Sequence, residues 1–199
     1  MSISERQKEE RELRKERILS GALTVFKTKG LDGATMDEIA AESGFGKATL
    51  YYYFSSKEEV FCGILDRGWT SLWMSLEEDI HSETGPRETF INILIKIARN
   101  AQHKRNEYEF MFNAPKAISH IENKDQTWRS YQNQLYAILK GLLEDGIAKG
   151  EFPKLDLNLM FKAIGGLFVG LIFMGEENKD ITAGDIEELL NNLITAPRN

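Results

Sequence analysis

Two helix-start signals on either side of a glycine-containing break constrain the fold more than any other feature of the chain. The segment TMDE is a capping box, in which Thr35 and the glutamate three residues later satisfy each other's backbone amides. The segment SKEE, from Ser56, repeats this pattern, and Gly44 and Gly46 interrupt the residues between the two boxes. This spacing predicts a short helix up to Gly44, a tight turn, and a second short helix from Lys47 to about Phe54.

Helical signals continue through the rest of the chain. Apolar residues at three- and four-residue spacing predict a first helix over about Glu5 to Lys29, ended by Gly30. The helix that starts at Ser56 is expected to end near His81. Five more follow, over about Pro86 to Gln102, Glu107 to Ile121, Gln126 to Lys149, Asp156 to Met174, and Asp185 to Thr195. Because no segment alternates with a period of two, we predict an all-α fold of about nine helices.

Composition excludes several classes of protein. The single cysteine, Cys62, cannot form an intramolecular disulfide, and the charged N-terminal segment does not resemble a secretory signal, so we expect a cytoplasmic protein. The longest apolar run, Ala163 to Gly175, is shorter than the ~20 residues that cross a bilayer. The histidines are too scattered for a metal site, and no catalytic group stands out, so we expect no metal, no cofactor and no enzyme activity.

The net charge of −6 is unevenly distributed along the chain. Residues 1–57 contain 10 lysine and arginine residues against 9 aspartate and glutamate residues, whereas the remainder has 15 against 22. A surface that meets an anion is therefore expected in the N-terminal quarter, although this balance is a weak signal by itself.

The segment KATLYYYF predicts a helix with one buried face and one face suited to DNA. Leu50 and Phe54 lie four residues apart on one side, which we expect to pack on the first two helices. Ala48, Thr49 and Tyr52 then face away from the core, with Tyr51 and Tyr53 on the flanks. Threonine and alanine can contact base edges in the major groove, and tyrosine hydroxyls and lysine can bind phosphates. The alternative is a tyrosine-rich core helix with its hydroxyls at the surface.

The run TMDEIAAESGFGKATLYYYFSSKEEVF resembles the helix-turn-helix of the TetR family of bacterial transcriptional regulators. The resemblance implies a three-helix DNA-binding domain over residues 1–56 and a helical ligand-binding and dimerisation domain over residues 57–199. It also implies contact with an operator by Thr35, Lys47, Ala48, Thr49, Tyr51, Tyr52, Tyr53 and Lys57. Asp37 departs from the pattern, because some members carry an arginine there that reads a base.

The segment AIGGLFVGLIFMG predicts an apolar helix that needs cover on every side. Gly166 and Gly170 would let a second helix approach closely. We therefore predict a homodimer, which would bind a pseudo-palindromic operator. The expected interface residues are Gly166, Phe168, Gly170, Phe173 and Leu190. The alternative is a central core helix of the monomer.

Aromatic residues and methionines of the C-terminal part suggest a pocket for a small apolar or aromatic effector. The candidates are Trp69, Trp73, Phe110, Met111, Trp128, Tyr131 and Phe168. The alternative role of each is core packing, which is the more common fate of aromatic residues at helical spacing.

Together these features favour a ligand-responsive, DNA-binding regulator, most simply a repressor that the effector releases from its operator. Two alternatives stay open: a transcriptional activator, and a helical interaction protein of the same fold that does not bind an operator.

Overall fold

The computed structural model describes residues 3–113, 127–174 and 182–193, and over these ranges the chain forms nine helices and no strand. This confirms the predicted all-α fold. The helices are α1 (Ile3–Gly33), α2 (Met36–Ser43), α3 (Lys47–Tyr53), α4 (Lys57–Ile80), α5 (Pro86–His103), α6 (Arg105–Asn113), α7 (Thr127–Ala148), α8 (Leu157–Phe173) and α9 (Ala183–Leu193). No helix within these ranges is long and apolar enough to cross a membrane.

The largest difference from the predicted boundaries, among the described residues, concerns α1. The predicted stop at Gly30 is a kink, with φ 69° and ψ 179°, after which the helix resumes as far as Gly33. A positive φ favours glycine, because a side chain would clash with the backbone in that conformation. The predicted continuation of the sixth helix to Ile121 falls outside the described residues, as does the predicted end of the ninth at Thr195.

The chain divides into two compact units. Among the described residues, the first unit contains 3–68, 110–113 and 127–128, and the second contains 69–109, 129–174 and 182–193. The unit that holds α1, α2 and α3 thus continues into α4 as far as Gly68. The predicted functional boundary after residue 56 stays a prediction.

The first unit is built around α1, which packs on α2, while α2 packs on α3. Ile18, Ile39 and Leu50, one from each of these helices, are fully buried. Gly21 of α1 permits the close approach of α2, since a Cβ atom there would lie 2.8 Å from the backbone nitrogen of Ser43. A larger residue at this position would push the two helices apart, and with them the turn into α3.

The second unit is built around α5, which packs against α8 and α9. The buried residues of α5 recur along one broad face and include Ile93, Leu94 and Ile97. Phe90 at its start meets Phe152 edge-to-face, with ring centroids 5.7 Å apart. This core holds one side of α8.

Candidate nucleic-acid interface

The start of α2 forms the predicted capping box. The backbone N–H of Glu38 donates to the Thr35 hydroxyl at 3.3 Å, and the Thr35 N–H donates to the Glu38 carboxylate at 3.1 Å. Lys29 binds the same carboxylate, and this contact, followed by the hydrogen bonds from Thr35, holds the Glu38 pKa below its usual value. Gly44 ends the helix in the left-handed conformation, at φ 72° and ψ 29°. The two ends of α2 are therefore fixed as the sequence predicts.

The helix α3 has the two faces predicted from its sequence. Leu50 and Phe54 are buried, whereas Tyr52 is 71% exposed and Tyr51 is 47% exposed. Ala48 is exposed, and Thr49 is half-buried. Tyr53 is also half-buried, and its ring meets that of Tyr52 edge-to-face at 5.1 Å. The outward face of α3 therefore presents small, hydroxylated and aromatic side chains.

The first lysine of α3 is held by an acid from α2. The Lys47 ammonium lies 2.8 Å from one carboxylate oxygen of Asp37 and 3.0 Å from the other. The hydrogen bond to Asp37 raises the pKa of Lys47. Asp37, which departs from the family pattern, thus neutralises a cation that the sequence assigns to the operator surface.

Lys57, at the start of α4, is tied to the end of α1. Its ammonium donates to the carbonyl oxygens of Asp32 and Ala34, both at 3.0 Å. The second capping box also differs from the prediction. The Glu59 N–H donates to the Ser56 hydroxyl as expected, but the Glu59 carboxylate accepts from the backbone and hydroxyl of Ser55. The reciprocal half of the box therefore shifts by one residue.

Three cations of α1 lie over aromatic rings of the helix-turn-helix. The Arg11 guanidinium is 5.9 Å from the centre of the Tyr52 ring, and the Lys15 ammonium is 6.0 Å from the centre of the Phe54 ring. Arg17 lies 4.9 Å from the centre of the Phe45 ring. Sequence reasoning missed these residues, because nothing in their spacing indicates which part of the chain packs beside them.

The predicted effector residues divide between the two compact units. In the first unit, Phe110 packs on Phe26 and Phe61, with ring centroids 6.3 Å and 4.6 Å away. Met111 is buried against Gly68, where a Cβ atom would lie 2.3 Å from the Met111 sulfur.

Trp128, also in the first unit, is buried, and its backbone N–H donates to the Asp66 carboxylate at 2.8 Å. Burial raises the pKa of Asp66, although this hydrogen bond and nearby Lys15 act in the opposite direction. The contacts of Phe110, Met111 and Trp128 are those of packed residues. A role in effector binding stays a prediction for all three.

The second unit contains the other four predicted effector residues. Trp69 is buried, with its ring 6.4 Å from that of Tyr136. Trp73 stacks on Tyr131, with ring centroids 5.4 Å apart and an angle of 26° between the planes, and both residues are half-buried. Phe168 is buried in α8. The structure thus brings Trp73 and Tyr131 into direct contact.

The helix α8 has a buried apolar face and, outside it, apolar residues that are exposed. Met160, Ile164, Phe168 and Ile172 form the buried face. Leu159, Leu167 and the C-cap residue Met174 lie beside this face and are 63%, 47% and 86% exposed.

Of the predicted interface residues, Gly166 is exposed, and Gly170 and Phe173 are half-buried. Phe168 belongs to the buried face. Leu190 lies in α9, and its side chain is outside what the structure describes. Among the described residues, α8 is covered on one side only, and its predicted cover by a second copy stays a prediction.

Within the described ranges, no group of three or more histidine, cysteine, aspartate or glutamate residues could hold a metal ion.

Comparison with protein families places the helix-turn-helix in a known group. Residues 18–62 match the model described as bacterial regulatory proteins, tetR family. The uncharacterized HTH-type transcriptional regulator YfiR of Bacillus subtilis is 26% identical over 186 residues, which are 88% of each chain. The negative transcriptional regulator IcaR of the Staphylococcus aureus biofilm operon is 45% identical over 47 residues, 24% of this chain and 25% of IcaR. These relatives are regulators rather than enzymes.

Solved structures extend the similarity of fold to nearly the whole chain. The regulator AibR, solved in complex with isovaleryl coenzyme A and operator DNA, matches with a TM-score of 0.77 and 16% identity. The match covers 93% of this chain and all of the AibR chain. At this identity the likeness establishes the fold alone.

Proposed function

We propose that the chain is a regulator of the tetR family, whose model matches residues 18–62, and that it acts as a homodimeric repressor. It would bind a pseudo-palindromic operator and leave it on binding a small effector. The observation that carries the proposal is the outward face of α3. Tyr52 and Tyr51 are exposed beside Ala48 and Thr49, while Leu50 and Phe54 anchor the opposite face. Such a face can enter a major groove, where alanine and threonine contact base edges. Operator binding places the protein in the cytoplasm, with the chromosome.

The exposed side of α8 supports the homodimer. Leu159, Leu167 and Met174 form an exposed apolar row along α8, and a Cβ atom at Gly166 would meet none of the described residues within 4 Å. Glycine is costly inside a helix, and packing within the chain does not require it at this position. The close approach of a second copy supplies a reason. A two-fold dimer would then place two copies of α3 in successive major grooves, about 34 Å apart.

The stacked pair Trp73 and Tyr131 supports an apolar or aromatic effector. The rings are half-buried, so each has part of its surface available to a ligand. Ligand pockets are typically lined by apolar and aromatic side chains with a few polar groups, among them tyrosine hydroxyls. IcaR is a negative regulator, and AibR was solved with bound isovaleryl coenzyme A. These two similar proteins favour a repressor that responds to an effector.

The test is selection of bound sequences from a random duplex library by the purified protein. We expect enrichment of a palindrome, whose two halves reflect the two copies of α3. A reporter with that palindrome across its promoter should then be silenced by the protein. Raised expression would mean an activator. A folded protein that enriches no sequence would contradict operator binding and favour the helical interaction protein.

A further inference from the structure

We propose that the N-terminal half of α1 binds DNA phosphates through Lys8, Arg11 and Lys15, beside the groove that α3 enters. We call these three residues the α1 basic face. The inference rests on the proposed operator binding and adds a second DNA-contacting surface to it. The α1 basic face lies outside residues 18–62, which match the family model.

The first support is the sorting of charge on α1. Every residue from Glu5 to Arg17 is exposed. Lys8, Arg11 and Lys15 follow one another at three- and four-residue spacing, so they share one face of the helix. Acidic residues at the same spacing share another face, and they are Glu5, Glu9, Glu12 and Glu16. The two rows lie side by side on the helix, and the i,i+4 ion pair of Glu10 with Arg14 lies on a third side.

The second support is the direction of the α1 basic face. The row that contains Arg11 and Lys15 continues along the helix into Ile18 and Ala22, which are fully buried. Core packing therefore fixes the rotation of α1. The same rotation brings Arg11 over the ring of Tyr52 and Lys15 over the ring of Phe54.

The acidic row turns to another side of α1. Glu16 in that row pairs with Arg67 of α4 at 3.1 Å. Arg11 and Lys15 thus adjoin the residues of α3 and its C-cap, whereas Glu16 adjoins α4.

The third support is that two lysines near α3 already have partners within the protein. Lys47 is paired with Asp37, and Lys57 donates to two backbone carbonyls. A chain with a net charge of −6 needs a local positive surface to approach DNA. The α1 basic face provides that surface next to the most exposed tyrosine of α3.

The length of the α1 basic face suits a phosphate backbone. Lys15 is seven positions after Lys8, which is about 10 Å along a helix. One DNA strand advances about 3.4 Å per phosphate along the duplex axis, so this length spans about three phosphates. Phosphate contacts orient a protein on the duplex and do not read bases. The α1 basic face should therefore add affinity and register without adding sequence preference.

The test compares two double variants with the same loss of charge. Lys8→Gln with Lys15→Gln removes two cations of the α1 basic face, and Arg6→Gln with Arg14→Gln removes two cations from other faces of the same helix. Affinity is measured against salt concentration for the selected operator and for a mixed-sequence duplex. The slope of log K against log salt is negative, and each phosphate contact makes it steeper by about 0.9. We expect the first variant to make this slope shallower by about 1.8 on both duplexes. The second variant should change the slope far less.

Arg11 is tested separately, because it also touches Tyr52. Arg11→Lys keeps the charge and should keep the slope, whereas Arg11→Gln should lower it by about 0.9. Equal slopes for the two double variants, with the wild-type protein binding its operator, would overturn this inference and leave operator binding intact. A wild-type protein that binds no duplex would overturn both. Circular dichroism of each variant establishes that α1 remains helical.

Discussion

The outward faces of α3 and α8 are both exposed and both rich in large side chains, but their chemistry differs. On α3 the exposed groups are phenol rings with hydroxyls, Tyr51 and Tyr52, next to the cations of α1. On α8 they are Leu159, Leu167 and Met174, next to glycine. Aliphatic side chains beside glycine suit another apolar surface that approaches closely. Hydroxylated rings beside cations suit a polyanion with flat bases. The polar atoms at the edge of an exposed patch therefore indicate its partner.

The largest effect is expected from a charge on α8. Gly166→Asp places a carboxylate on the exposed apolar face, where a dimer would bury it without a partner. Since a side chain has open space at this position, the monomer should keep its fold. Loss of the second half-site contact should weaken operator binding by about 10²- to 10⁴-fold. Sedimentation and a binding titration measure the two effects together.

Gly165→Asp is the matched control for that change. Gly165 also has open space around it, but it lies about 100° away on the helix. The Gly165→Asp variant should dimerise and bind the operator far better than the Gly166→Asp variant. If the two variants behaved alike, the exposed apolar row of α8 would not be the interface.

The next effect concerns the outward face of α3. Thr49→Val and Tyr52→Ala should each reduce the preference for the selected operator over a mutated one, by about 1–3 kcal/mol where a base contact is lost. Tyr52 is largely exposed, so its change should leave the unfolding temperature almost unaltered. Competition between operator and mutated duplex gives the preference. An unchanged preference with both variants would remove α3 from sequence reading.

A smaller effect is expected at the ion pair beside α3. Asp37→Asn removes a carboxylate and releases Lys47, whose ammonium could then bind a phosphate. We expect tighter binding to every duplex and a salt slope steeper by about 0.9. Asp37→Asn combined with Lys47→Gln should lose that gain. Weaker binding by Asp37→Asn alone would mean that the pair positions the turn between α2 and α3.

The smallest effect is on stability against pH. The folded Glu38 pKa lies below its unfolded value, chiefly because Lys29 and Thr35 bind the carboxylate. Its contribution to stability is therefore present above the unfolded pKa and is lost as pH falls through the lower folded pKa. Glu38→Gln can still accept from the Thr35 amide but cannot titrate. Thermal unfolding should depend less on acidic pH in this variant, and an identical pH dependence would contradict the assignment.

The sequence predicts those features of the DNA-binding unit that depend on residues close together in the chain. The capping box of Thr35 and Glu38 spans three residues, and the two faces of α3 follow from the helical period. Gly44 adopts the left-handed turn for a similarly local reason. Such features need no knowledge of the rest of the fold.

Features that join distant residues could not be predicted in the same way. The attachment of Lys57 to Asp32 and the position of Arg11 over Tyr52 depend on how helices cross. The aromatic residues of the C-terminal part illustrate a further limit. The sequence groups Phe110 with Tyr131 by chemistry, whereas the fold assigns them to different compact units. Composition identifies the kind of side chain but not its neighbours.

The glycines of α8 have a consequence for protein concentration. Gly165, Gly166 and Gly170 each cost the helix about 1 kcal/mol relative to alanine, so α8 is intrinsically weak in an isolated chain. If a second copy covers the exposed row as proposed, association repays part of this cost and becomes linked to folding by mass action. The unfolding temperature should then rise with protein concentration. A regulator of this kind would be most vulnerable to proteolysis when few copies are present, so its abundance would help to set its own lifetime.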